Sequence, residues 1–115
     1  MMNFTELIQK TQALPLEQVR KNVTGYFEFV IPVEHEKGLY PILEDFFGPP
    51  FKPKNTSPDA QAKKISYDYG GIEKHQVLYY TEKNGLPSCA MIWPWNDGRF
   101  ATVKMAQGEI KKISK

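Results

Sequence analysis

The apolar residues of this chain recur with a helical period in its first part and with a strand period in its last part. Asn3 and Glu6 stand three residues apart before an apolar stripe, which predicts a capping box and the start of a helix. Pro15 ends or kinks that helix and suits the first position of a second short helix, with Val19 on its apolar side. We therefore expect residues 1–24 to be a helical N-terminal segment.

The period changes after residue 24. Residues 26–33 alternate apolar side chains, which predicts the first strand, with one face made by Phe27, Phe29, Ile31 and Val33. Residues 39–47 return to helical spacing, with Pro41 in the first turn and Gly48 as the stop signal. Residues 48–57 are rich in proline and predict an extended loop.

The segment between Ser57 and Tyr69 fits two periods. Ile65 and Tyr69 match helical spacing, whereas Ile65, Tyr67 and Tyr69 also alternate as in a strand. A cap at Ser57, a proline after it and a glycine pair after Tyr69 agree as the two ends of a helix. A helix is the preferred prediction, and the strand stays open as the alternative.

The last part of the chain predicts three antiparallel strands joined by two turns. Residues 84–85 (Asn-Gly) predict a two-residue type I′ hairpin. For residues 96–98 (Asn-Asp-Gly), a two-residue loop would set Lys104 opposite Met91, and a three-residue loop would set Val103 there. We predict the second register, because it gathers the apolar side chains on one face.

That register gives the sheet one apolar face and one mixed face. The apolar face, which should pack on the helices, carries Leu78, Tyr80, Cys89, Met91, Trp93, Ala101, Val103 and Met105. The mixed face carries His75, Val77, Tyr79, Ser88, Ala90, Ile92, Thr102 and Lys104. Because the mixed face is more apolar than a solvated face should be, we expect a helix, a second copy of the chain or a ligand to cover it.

These elements together predict an α+β fold. N-terminal helices precede strands and helices in the order β-α-(α)-β-β-β, with a mainly antiparallel sheet of four or five strands packed against helices. The length of 115 residues suits a single globular domain, 1–115. Residues 108–115 are polar and basic and are expected to fray.

Composition narrows the class of protein only a little. The formal net charge of +2 is too small to indicate a nucleic-acid partner by itself, and one cysteine excludes an intramolecular disulfide. The N-terminus lacks the basic and apolar regions of a secretory signal, and no apolar run approaches the roughly 18 residues that cross a bilayer. We expect a cytoplasmic protein without a membrane partner.

Catalytic signals are weak. Cys89 is the one thiol, and the predicted register puts it and His75 on opposite faces of the sheet, which argues against a Cys–His nucleophile. Glu73 and His75 share a strand face without any established metal-ligand spacing. We therefore expect no metal and no cofactor, and we lean against an enzyme.

Candidate binding residues fall in two groups. Aromatic residues that would line a pocket between the sheet and the helix of residues 39–47 are Tyr40, Tyr80, Trp93 and Trp95. Residues of the mixed face that would meet a partner are His75, Val77, Tyr79 and Ile92.

Three functions follow in order of preference. The first is a non-enzymatic binding or protein-interaction module, with a homodimer as one form. The second is a small-molecule-binding domain or minor enzyme that uses the aromatic pocket. The third and least favoured is a weak nucleic-acid binder whose lysine clusters are Lys52, Lys54, Lys63 and Lys64 and, at the end of the chain, Lys111, Lys112 and Lys115.

Overall fold

The chain folds around a five-stranded antiparallel sheet with the strand order β1-β2-β5-β4-β3. This computed structural model describes residues 2–83 and 85–108. The strands are β1 Gln18–Val23, β2 Tyr26–Pro32, β3 Val77–Lys83, β4 Leu86–Pro94 and β5 Phe100–Gln107. The helices are α1 Phe4–Gln12, α2 Val33–Glu36, α3 Leu39–Phe47 and α4 Ala60–Ser66, the last continued by a 3-10 turn over Tyr67–Tyr69.

This arrangement confirms the predicted α+β class and several local predictions. The capping box of α1 is present, since the Asn3 side chain accepts from the Glu6 amide and the Glu6 carboxylate accepts from the Asn3 amide. Helix α3 has the predicted bounds and ends at Gly48, whose φ of +82° favours glycine. None of the helices within residues 2–83 and 85–108 is both long and apolar enough to span a membrane.

The second N-terminal helix was predicted wrongly. Residues Gln18–Val23 form strand β1, which pairs antiparallel with β2. Val19 and Val23, the apolar residues of the predicted helix, are 47% and 52% exposed in the strand. A short helix without tertiary packing is marginal, whereas the β2 edge offers a ladder of backbone hydrogen bonds.

Residues 60–66 form the preferred helix rather than the alternative strand, but the helix starts later than predicted. Its N-cap is Asp59 in place of Ser57, and the Asp59 carboxylate accepts from the Ala62 amide at 2.8 Å. The stop signal is confirmed, because Gly70 follows the 3-10 turn in the left-handed conformation with a φ of +109°.

The β3–β4 register is as predicted, with Tyr80 opposite Cys89 and Leu78 opposite Met91. The turn type predicted at residues 84–85 depends on residue 84, which lies outside the described residues. Gly85 itself has a φ of +78°.

The β4–β5 register was predicted wrongly. Lys104 lies opposite Met91, and Val103 lies opposite Ile92. The loop spans residues 96–99, since Trp95 pairs with Phe100 through its backbone N–H. The parity test failed because it assumed that only one face of the sheet is buried, whereas helices contact both faces.

The two faces of the sheet differ in the helices that contact them. The helix face packs on α1 and α3, and its buried strand residues are Phe27, Phe29, Ile31, Val77, Tyr79, Ala90, Ile92, Ala101, Val103 and Met105. The open face is contacted by α4, and its buried strand residues in that cluster are Leu78, Cys89, Met91 and Ala106. The predicted grouping of Leu78 and Cys89 with Val103 and Met105 is thus corrected.

The proline-rich loop is tied to the outer edge of β3 by Lys52. The backbone of Lys52 exchanges two hydrogen bonds with Leu78, at 3.0 and 3.1 Å. Its side chain is only 3% exposed, and its ammonium donates to the carbonyls of Pro53, Lys74 and Gln76. These contacts cover an edge that would otherwise present unpaired backbone groups.

Replacing Lys52 by Met should destabilise the fold by about 2 kcal/mol, because carbonyls buried around the ammonium would lose their donor. Lys54→Met is the matched control, since Lys54 is exposed, and it should change the free energy of unfolding by less than about 0.5 kcal/mol. Urea unfolding of the three proteins measures the difference. Equal effects of the two substitutions would contradict the structural role of Lys52.

Candidate functional site

Helix α4 covers only part of the open face, and a groove of about 370 Å³ remains between the helix and the sheet. From the sheet, the groove is lined by Tyr80, Cys89 and Ala106. From α4 and the 3-10 turn, it is lined by Gln61, Lys64, Ile65, Asp68 and Tyr69. The groove thus combines apolar and polar side chains, and Ser88 of β4 adds a hydroxyl from the sheet side.

Small residues on the central strands create the depth of this groove. Cys89 and Ala106 are directly opposite each other on β4 and β5, and both are buried. Ala62, at 1% exposure, packs in the same cluster and lets α4 lie close to the sheet. Larger side chains at these positions would fill the space.

Aromatic rings border the groove on two sides. Tyr69 stacks on Tyr26 with ring centroids 6.4 Å apart, and Tyr80 meets Phe51 edge to face at 5.9 Å. Burial raises the pKa of the Tyr69 hydroxyl from its ordinary 10.0 to about 12, so the hydroxyl stays neutral into the alkaline range. The borders therefore offer flat, uncharged surfaces to a ligand.

The thiol in the groove is not activated. Cys89 is 4% exposed, and burial raises the pKa of its thiol to about 12. A protonated thiol is a poor nucleophile, since the thiolate is the reactive form. The groove can therefore hold a molecule by contact more readily than it can attack one through Cys89.

No protein-family model, curated protein or solved structure matches this chain. The function has to be inferred from the geometry alone.

The aromatic residues predicted to line one pocket are divided by the sheet. Tyr40 packs against the core of the helix face, where its hydroxyl donates to the nearly buried carboxylate of Glu36. Tyr80 and Trp93 pack against the cluster of the open face. A pocket shared by Tyr40 with these two rings is therefore not formed, and the groove under α4 lies on the other side of the sheet.

Most of the residues predicted to meet a partner are buried in the core of the chain. Val77, Tyr79 and Ile92 are buried on the helix face, under the chain's own helices. The Tyr79 hydroxyl points to a carboxylate oxygen of Glu44 at 3.4 Å. His75 is exposed in the turn before β3, 3.8 Å from the Glu73 carboxylate.

The tryptophans lie on the open face together with Lys104, which the predicted register had placed on the opposite, mixed face. Trp95 is 36% exposed, and its indole N–H donates to the Thr102 hydroxyl at 2.9 Å. The Lys104 ammonium lies 3.8 Å from the centroid of the Trp93 ring. The correct register between β4 and β5 places Lys104 on the open face. That register was the signal from which this position could have been predicted.

The lysine clusters are not a continuous surface. Lys52 is buried and its ammonium donates hydrogen bonds to backbone carbonyls, whereas Lys63 and Lys64 are exposed on α4. The C-terminal lysines lie outside the described residues. Within residues 2–83 and 85–108, no three His, Cys, Asp or Glu side chains are placed to share a metal ion.

The buried Cys89 thiol should make stability depend on alkaline pH. Its pKa is about 12 in the folded chain and near the ordinary 9.0 when unfolded, so above pH 9 only the unfolded chain releases the proton. The free energy of unfolding then falls as the pH rises, by about 1 kcal/mol between roughly pH 8 and 10 from this group.

Urea unfolding of the native chain and of Cys89→Ala at both pH values measures this contribution. The fall in the variant should be smaller by about 1 kcal/mol. An identical fall in the two proteins would argue that the thiol is not held protonated by burial.

Proposed function

We propose that this chain is a non-enzymatic binding domain whose ligand is a small, mainly apolar molecule held in the groove between α4 and the open face. The observation that carries the proposal is the groove itself, about 370 Å³ in volume and lined by side chains of both layers. Volumes of about 300–1,000 Å³ are typical of small-molecule sites. A ligand there would cover the part of the open face that α4 does not contact.

The chemistry of the lining supports an amphipathic ligand of modest size. Tyr69, Tyr80 and Ala106 would contact its apolar part. Lys64 and Asp68 carry opposite charges at the helix side and would orient its polar part.

Binding without catalysis fits the state of the one thiol. Cys89 lines the groove, but its raised pKa keeps the nucleophilic form scarce at neutral pH. Tyr69 is held neutral in the same way. Neither group is poised for acid–base or nucleophilic work near pH 7.

A dimer through the mixed face is not part of this proposal. The expectation of a dimer arose from apolar residues such as Val77 and Ile92, and these are buried under α1 and α3. An interaction surface would need a different apolar patch to motivate it.

Titration with N-phenyl-1-naphthylamine, a neutral dye that fluoresces in apolar surroundings, tests the groove. Gln61→Trp places a large ring at the groove and should weaken dye binding at least about ten-fold, or 1.4 kcal/mol. Lys63→Trp is the matched control, because Lys63 is an exposed neighbour on α4 that does not line the groove.

The control should bind the dye as the native chain does, with both variants checked for an unchanged thermal unfolding transition. Binding that is absent in the native chain, or equally tight in the two variants, would refute the groove as the ligand site.

A further inference from the structure

A half-buried lysine stands in the middle of the open face. Lys104 lies on β5 between Glu28 of β2 and Met91 of β4. Its ammonium donates to the Tyr69 carbonyl at 2.8 Å and lies 3.8 Å from the centroid of the Trp93 ring. Burial lowers the pKa of Lys104, which reflects the cost of keeping a charge partly out of water.

Glu28, the carboxylate opposite Lys104 on β2, attracts the Lys104 charge but forms no ion pair with it. Among the described residues no carboxylate lies within 4.0 Å of its ammonium. Glu28, its cross-strand neighbour, instead accepts from the Tyr26 hydroxyl at 2.6 Å and meets Arg20 at 3.9 Å. One carboxylate thus serves two cations, and the local charge is positive.

Two indole rings flank these cations. The Arg20 guanidinium lies 5.8 Å from the centroid of the partly exposed Trp95 ring. Trp93 adds a buried indole N–H that has no hydrogen-bond partner among the described residues. We name Arg20, Glu28, Trp93, Trp95 and Lys104 the tryptophan–cation patch.

We propose that the tryptophan–cation patch binds a small aromatic anion, with the acid group toward Lys104 and Arg20 and the ring against indole surface. Charge-assisted hydrogen bonds to a carboxylate or phosphate are about twice as strong as neutral ones. A half-buried cation gains most from such a partner, because the surrounding dielectric is low. The Trp95 indole, which is 36% exposed, supplies the flat apolar contact that an aryl ring needs.

This patch is separate from the groove under α4, since none of its five residues lines that groove. The proposal therefore does not rest on the proposed function. Both of the chain's tryptophans belong to the patch.

The test compares two dyes that differ by one acid group. 8-Anilino-1-naphthalenesulfonate carries a sulfonate, and N-phenyl-1-naphthylamine is the same ring system without it. The sulfonate dye should quench tryptophan emission with an affinity at least about ten-fold higher than the neutral dye, and the advantage should shrink as salt rises. An affinity for the sulfonate dye that neither Lys104→Met nor Arg20→Gln lowers would overturn the proposal.

Substitutions locate the acid group. Lys104→Met and Arg20→Gln should each weaken the sulfonate dye about ten-fold and leave the neutral dye unchanged. Lys104→Arg keeps the charge and should retain most of the affinity. Lys63→Met removes one exposed lysine elsewhere and should have no effect. Because Arg20 is 40% exposed, Arg20→Gln tests the proposal even if Lys104→Met fails to fold.

Competition distinguishes the natural acid groups. 2-Naphthoate and 1-naphthyl phosphate should both displace the sulfonate dye, and the stronger competitor identifies carboxylate or phosphate as the preferred group. Displacement by a single-stranded oligonucleotide at lower concentration than by 1-naphthyl phosphate would overturn the proposal in favour of nucleic acid. If Gln61→Trp no longer binds the sulfonate dye while Lys104→Met still binds it, the dye lies in the groove under α4. That result would also overturn the proposal.

Discussion

The position of β5 between β2 and β4 is the constraint on which the rest of this structure depends. Successive side chains of a strand point to opposite faces, so every second side chain of this central strand must serve a different layer. Val103 and Met105 go to the core under α1 and α3, while Lys104 and Ala106 go to the open face. One register between β4 and β5 thereby decides which residues are core and which are available for binding.

The two layers on the sheet are unequal, and the candidate sites arise from that inequality. Helices α1 and α3 bury the helix face with large side chains such as Leu7, Leu43 and Phe46. The open face receives the short α4, its 3-10 turn and the segment after it, whose residues buried against the sheet are Ala62 and Ile72. The remaining area holds a groove with a neutral interior and, beyond Tyr69, a patch with excess positive charge.

The sequence predicted those parts of the fold and the site that depend on residues close together in the chain. The open-face aromatics were named, because Trp93 and Trp95 are unusual in any context. Lys104 was predicted on the opposite face, because it joins them only in the register that pairs it with Met91. The groove itself could not be predicted, because its lining joins Gln61 of α4 to Cys89 of β4 across tertiary space.

The sequence by itself determined the elements whose signals are local. The capping box at Asn3, the glycine stop at Gly48 and the β3–β4 register each rest on residues a few positions apart. Only the tertiary structure decided that residues 18–23 form a strand and that both faces of the sheet are covered. Those outcomes depend on distant backbone partners and on burial, which outweigh the weak local preference of a short segment.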